Sequence, residues 1–345
     1  MSGSYGWFSF IPGEEHDAIM DVLCIGEALI DFVSREHGEA LETATQYTAA
    51  TGGAPANVAA GLAKLGRKAQ LIATVGDDAF GRKILHDLEA VGVVCTLRID
   101  PDHFTTLAFV RQGKAGQRDF EFCAGAHDYL LPDQVTEEAV RGARVLHYGS
   151  ISLRAPQSRE ATLKAICLAK NAGVLTSCDP NWRPDLWPDP DAGRVAMCEA
   201  IAHADLLKIS RGDLAFLAPE HGDNYAAALA SLGFVGRLAT VTLGGDGSWY
   251  QAGTRTGVVP SPHVQVIETT GAGDGFIAAL LDCLLKRDLA IEMLDDDALR
   301  GIVQRACAAG ALTATGYGAI PSLPDAASLE AMLRMVGTSE DRIEA

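Results

Sequence analysis

No two of the chain's eight cysteines are separated by two residues, and its nine histidines include no H-x-x-x-H spacing. The patterns that mark zinc sites and thiol redox centres are therefore missing. The cysteines (24, 95, 123, 167, 178, 198, 283 and 307) are scattered, several within apolar runs. That is the usage of buried free thiols in a reducing cytosol, not of a disulfide framework. No G-x-x-x-x-G-K-[ST] segment occurs, and Gly113-Lys114 lacks the upstream glycine, so this is not a P-loop protein. No G-x-G-x-x-G opens a helix after the first strand, which removes the dinucleotide fingerprint. No apolar run reaches membrane-spanning length. Basic residues are in deficit, with a net charge of −17. Nucleic acid and membrane surfaces, which are bound through basic patches, are not expected partners. The N-terminus has neither a basic segment nor an apolar core and does not read as a signal peptide. Residues 1–19 show no periodicity and are expected to be a leader or tag-like extension outside the fold.

What is present is a chain of 345 residues, 48% hydrophobic, enough for a large core. From Met20, strand-like apolar runs alternate with helical ones. The run from Met20, "MDVLCIGEALIDFV", reads as a first core strand. "PANVAAGLAKLG", "AFGRKILHDLEAVG" and "SREATLKAICLAKNAG" read as helices between strands such as "KAQLIATVG", "RVLHYGS", "VLTSCD", "DLLKIS" and "LATVTLG". Such alternation predicts βαβ units: an α/β fold with a mainly parallel sheet covered on both faces. Two segments break the pattern. Residues 32–53 are polar and strand-like without a helix. Residues 105–123 read as a hairpin turning around Gly113 and Gly116. Both suit a small β-layer covering a site or pairing subunits. The fold is expected over 20–335, with 336–345 as a C-terminal tail.

Three glycine-rich segments carry the chemistry. In "VIETTGAGDGFIAALLDCLLKR" (266–287), Gly271-Ala272-Gly273-Asp274 stands where a helix begins. Glycines permit a sharp turn and close backbone approach, and first-turn amides with the helix dipole form an anion site. A carboxylate at its lip makes sense if Asp274 takes a proton from a nucleophile attacking that anion. In "GGAPANVAAGLAKLG" (52–66), a tight turn with Pro in the first helical turn explains Gly-Gly-x-Pro but not Asn57. An amide with donor and acceptors suits vicinal hydroxyls. Asp31, five residues beyond Gly26, lies where parallel sheets bind ligands, although a solvated loop aspartate is the plainer reading. "VTLGGDGSW" (241–249) ends a strand in glycines and is also readable as a hairpin turn.

Gly-Gly-x-Pro-x-Asn followed by "TTGAGDGF" resembles the two signatures of the ribokinase family (PfkB-type carbohydrate kinases), over essentially all of 20–335. "DPNWRPDLW" and "LHYGSISL" look most like its fructokinase branch. The resemblance implies a ribokinase-like three-layer sandwich with a small β lid, and ATP-dependent phosphorylation of a sugar hydroxyl giving fructose 6-phosphate. It makes Asp274 the catalytic base, with the amides of Gly271, Ala272 and Gly273 as anion hole. Asp31, Gly52, Gly53 and Asn57 match sugar contacts. Arg183 is a candidate for an acid group or a phosphate. Thr242, Gly244, Gly245 and Gly247 match the loop bordering ATP, with Lys208 and Ser210 on the preceding strand.

The family's N-x-x-E element, tied to Mg²⁺ through water, appears as Ser210-Arg211-Gly212-Asp213, with both ends altered. A monovalent-cation site, for K⁺, is implied at Glu268, where the family has Asp, with Thr270 and the carbonyls around Thr313, Gly316, Gly318 and Ser322. The rival substrates are 2-keto-3-deoxygluconate and ribose. The rivals of other classes are a non-catalytic sugar- or nucleotide-binding regulator and an NAD-linked oxidoreductase. A cytoplasmic homodimer is expected, paired through the free edge of the polar β-layer.

Overall fold

The structure is a computed structural model that describes residues 7–9, 20–35, 41–112, 118–183, 186–187 and 189–340. Its strands are β1 (Trp7–Ser9), β2 (Met20–Ile25), β3 (Leu29–Ser34), β4 (Tyr47–Gly52), β5 (Ala69–Gly76), β6 (Val94–Asp100) and β7 (Leu107–Gln112). They continue with β8 (Arg118–Cys123), β9 (Ala143–Gly149), β10 (Leu175–Asp179), β11 (Leu206–Ser210), β12 (Leu238–Thr242), β13 (Ser248–Ala252) and β14 (Arg255–Val259). The large sheet runs β1-β6-β5-β2-β9-β10-β11-β12-β13-β14. From β6 to β12 all neighbours are parallel; β1, β13 and β14 add antiparallel edges.

The α-helices are α1 (Ala54–Lys64), α2 (Ala79–Ala90), α3 (Glu137–Arg141), α4 (Pro156–Ala172), α5 (Pro190–Ala202) and α6 (Arg211–Leu217). After them come α7 (Tyr225–Ser231), α8 (Ala272–Leu285), α9 (Asp296–Thr313), α10 (Ala319–Ser322) and α11 (Ala326–Glu340). Successive strand residues face opposite sides of a sheet, and β2 shows the consequence. Val22 and Cys24 pack with α1, α2, α8 and α9, whereas Leu23 and Ile25 pack with α4, α5, α6 and α7. Three layers follow, with the sheet in the middle. Every residue of α8 from Asp274 to Leu285 is buried, as befits a helix enclosed on all sides. Its one carboxylate beyond the first turn, Asp282, is met by Arg67 at 2.8 Å and Lys286 at 2.7 Å.

The first apolar run is not one strand. Gly26, at φ +145°, ends β2 and sends the chain out of the large sheet. A Cβ there would lie 2.7 Å from Pro55. β3 therefore belongs to a second sheet of order β4-β3-β7-β8, with β3–β4 and β7–β8 antiparallel and β3–β7 parallel. Asp31 consequently sits within a strand of this smaller sheet, not in a loop beyond the large one. The end of the first apolar run continuing into the polar 32–53 segment supplies β3 and β4, and the 105–123 hairpin supplies β7 and β8. Gly113 and Gly116, expected to turn that hairpin, lie outside the described residues.

The ends of the chain also differ from expectation. Trp7–Ser9 pairs antiparallel with β6, so part of the 1–19 segment belongs to the sheet. At the other end α11 continues to Glu340, past the expected boundary at 335. Neither extension carries an alternation of apolar residues long enough to announce it.

Candidate active site

The chain leaves β2 towards β5 and β6 on one side of the sheet, and leaves β9 towards β10, β11 and β12 on the other. β2 and β9 are neighbours, so a crevice opens beyond their carboxyl ends, where open α/β sheets bind ligands. A cavity of about 310 Å³ lies there. Glu27 and Ile151 line it from the segments after β2 and β9, Asn181 and Arg183 from the segment after β10. Gly53 and Asn57 enter from the start of α1, Gly271 and Asp274 from the start of α8. The small sheet closes it with Leu29, Asp31 and Val110. Gly52 lets the aspartate in: a Cβ there would lie 2.1 Å from Asp31 Oδ2.

A second cavity, of about 300 Å³, lies on the other side of the α8 N-terminus. Thr242, Gly244, Gly245 and Gly247 form one wall and the 261–266 segment another. Phe276 with Cys307 and Ala311 of α9 supplies an apolar floor of the kind a flat heterocycle requires. Ala272 and Gly273 line this cavity, while Gly271 and Asp274 line the first. Four consecutive residues thus form the partition between two binding sites. Gly271, at φ +80°, makes the turn possible, and a Cβ on it would lie 2.7 Å from Ala319. No side chain caps α8, so first-turn amides are available to an anion. Ala272 is an exception: its N–H donates to the Thr269 carbonyl at 3.2 Å.

Asp274 is buried, and Asn57 Nδ2 donates to its Oδ2 at 2.8 Å. Burial, then the Asp179 carboxylate, push its pKa up to about 6, against the pull of Asn57, Lys208 and Arg183. Glu27 is likewise pushed up to about 7, chiefly by burial. Behind the partition, Lys208 Nζ donates to Asp179 Oδ2 at 2.8 Å, and both are buried. Burial would lower the lysine's pKa, but Asp179 outweighs it and the ammonium is retained. A Cβ on Gly273 would lie 2.6 Å from that ammonium, so a positive charge sits directly beneath the partition. The arrangement can accept a proton on one side and stabilise negative charge on the other.

Not every residue expected at the site lines a cavity. Lys208 does not line either cavity but lies behind Gly273 of the partition, in the buried ion pair. Ser210 Oγ accepts the Asp213 N–H at 3.0 Å, capping α6. Asp213 is held protonated more readily than usual by burial, with Lys208 opposing. Among the described residues no three His, Cys, Asp or Glu side chains form a metal cluster.

In the expected cation loop, Glu268 Oε2 accepts the Gly318 N–H at 2.8 Å, and its buried Oε1 has no hydrogen-bond partner among the described residues. The side chains of the neighbouring residues make other contacts, whereas the ligands expected from 313–322 are backbone carbonyls. Thr270 lines the first cavity. Thr313 Oγ1 donates to the Ala309 carbonyl and Ser322 Oγ to that of Tyr317. Gly316 packs on Ser322, where a Cβ would lie 2.3 Å from its Oγ. A larger cavity, about 680 Å³, lies between β4 and α2 and shares Glu268 and Gly318 with this loop. Its lysines are engaged, Lys83 with Asp87 and Lys64 with carbonyls of 320–323.

Glu27, Asp179 and Asn181 went unassigned in the sequence although each stands in a segment already singled out, "GEALIDF" or "DPNWRPDLW". The α9 contribution left no signal, because Cys307, Gly310 and Ala311 read as ordinary small-residue packing.

Two cavities of similar volume meeting at one partition can hold two ligands against each other, the arrangement that group transfer between them requires. Residues 20–326 match the model of the pfkB family carbohydrate kinases, and the chain belongs to that family. A probable fructokinase-2 from Arabidopsis thaliana is 38% identical over 310 residues, 88% of this chain and 92% of the relative. Fructokinase from Xylella fastidiosa, solved with bound ATP, matches with TM-score 0.82 and 27% identity over 92% of this chain and 99% of its own. Fructokinase from Vibrio cholerae O395, solved with fructose, ADP and calcium, matches with TM-score 0.80 and 30% identity over 92% and 100%.

Proposed function

We propose that the chain is a fructokinase, transferring the γ-phosphoryl group of ATP to fructose to give fructose 6-phosphate. The observation that carries this reading is the shared partition: Gly271 and Asp274 face one cavity, Ala272 and Gly273 the other. A sugar in the first and a triphosphate in the second meet across it. The sugar hydroxyl gives its proton to Asp274 as its oxygen bonds to the γ-phosphorus, and the bond to the β,γ-bridging oxygen breaks to release ADP. The Gly273 amide, with Lys208 behind it, faces the charge on the transferring group. Mg²⁺, when bound, neutralises the phosphates; it suits a site with no preformed cluster, because it is held mainly by phosphate oxygens and water. Asp213 is the nearby carboxyl for it. Glu268 Oε1, without a partner among the described residues, would be a ligand for K⁺.

An acidic sugar fits the first cavity less well. It would meet Glu27, Asp31 and Asp274 with Arg183 as the counter-charge. This supports a neutral sugar over 2-keto-3-deoxygluconate. β4 and β8, edge strands with no further strand among the described residues, support pairing of two copies through the small sheet. No described helix is long and apolar enough to cross a membrane. Five buried free cysteines support a reducing compartment, the cytoplasm.

The test is ADP release from Mg-ATP with a panel of sugars, and identification of the phosphorylated carbon by phosphorus NMR. Fructose-dependent release with 6-phosphate as product is expected. ADP release that no sugar accelerates would defeat the reading.

A further inference from the structure

Glu27 stands two residues beyond β2, at the crevice where the connections of the sheet diverge. It is 1% exposed, and its two oxygens have different fates. Oε1 accepts the Ala54 N–H at 3.0 Å, at the first turn of α1, which fixes the plane of the carboxyl group. Oε2 is buried and has no hydrogen-bond partner among the described residues, and the residue lines the 310 Å³ cavity. A buried carboxyl oxygen left without a partner carries a desolvation cost that native structures rarely leave unmet. The cost is offset when a ligand supplies the missing group.

We propose that Glu27 contacts the sugar directly, its Oε2 holding a hydroxyl other than the one that becomes phosphorylated. This rests on the reading of the cavity as the site of a neutral sugar. A hydroxyl is the group that fits, because it both donates and accepts. It can give its proton to the carboxylate or take one from the carboxylic acid. The contact therefore survives either protonation state of Glu27, which an ammonium or a carboxylate ligand would not. The anchoring by Ala54 makes the contact selective, since an oxygen held in one place reads the position of one hydroxyl. Asp31 and Asn57 line the same cavity from different elements, β3 and α1.

The test is a deoxy-sugar scan of the full chain. KM and kcat are measured for fructose and for each monodeoxy fructose that keeps its 6-hydroxyl, in wild type and in Glu27→Ala. In the wild type one analogue should lose roughly 10- to 100-fold in kcat/KM, the scale of a hydrogen bond to a charged group. In Glu27→Ala fructose itself should fall by a similar factor, and that analogue should fall no further. KM for ATP should be unchanged. Should Glu27→Ala fail to fold, Glu27→Gln keeps an oxygen for the Ala54 N–H and replaces the other by an amide. The same analogue's penalty should then shrink.

Identical penalties for every analogue in wild type and variant would show that Glu27 only caps α1, and would overturn the proposal. A wild-type chain that phosphorylates no sugar would overturn the cavity reading and this proposal together. Activity on fructose with an unaltered scan overturns the Glu27 contact alone.

Discussion

Asn57 Nδ2 donates to Asp274 Oδ2 at 2.8 Å, joining residues 217 positions apart. The asparagine thus holds the base with one end of its amide. The other end, Oδ1, is buried without a partner among the described residues, and the side chain lines the first cavity. One side chain couples the grip on the sugar to the ionisation of the base. Asn57→Ala should therefore do two things. It should raise KM for the sugar, and it should move the acidic limb of the pH–rate profile to higher pH, since a donor to the carboxylate is lost. KM for ATP should stay within about two-fold, well below the hydrogen-bond scale. An unmoved acidic limb would show that the hydrogen bond is not made during turnover.

Asp274→Asn keeps the shape and removes the base, so kcat should fall by roughly 10²- to 10⁴-fold. Wild-type activity should decline as pH falls through about 6, where burial places the carboxyl. Stability should move the other way. Because the folded-state pKa lies above the ordinary value of 3.8, folding favours the protonated acid, and that advantage is lost as pH rises through about 6. At pH 8 the asparagine variant should melt above the wild type, and the gap should close near pH 4. A variant equally active, or less stable at pH 8 than at pH 4 relative to wild type, would contradict the assignment.

Lys208 and Asp179 form a buried pair beneath the partition. Lys208→Met leaves the carboxylate buried without its cation, which typically costs about 3–5 kcal/mol. Adding Asp179→Asn should recover much of that stability without recovering turnover, because the positive charge beneath Gly273 is still missing. Thermal melts with parallel kcat measurements separate the two effects. Full activity in the double variant would mean the ammonium plays no part in transfer.

Glu268 reaches Gly318 with one oxygen and leaves the other buried without a partner among the described residues. K⁺ should activate the protein by settling the loop ahead of Gly271. The longer glutamate should hold the ion less well than Glu268→Asp, giving a higher half-saturating concentration. KCl titrations in tetramethylammonium buffer at constant ionic strength would show it. Equal activity of both proteins without K⁺ would make Glu268 a purely structural acceptor for the Gly318 N–H.

The alternation of strands and helices was legible in the sequence because it rests on local periodicity: Val22, Leu23, Cys24 and Ile25 face alternate sides whatever else the chain does. The turn at Gly271 was legible for the same reason, since a glycine pair before an apolar helix constrains its own neighbours. Tertiary structure decided what such signals cannot contain. It split one apolar run at Gly26 into strands of two different sheets, because Pro55 of α1 packs against that glycine. It drew Lys208 under the partition, where Asp179 outweighs the cost of burying it, and it turned Thr313 and Ser322 onto backbone carbonyls. It also brought Glu27 to the mouth of the crevice and gave α9 a wall of the second cavity. These contacts join residues far apart in the chain, and their energies depend on burial, a property no residue has until the layers have packed.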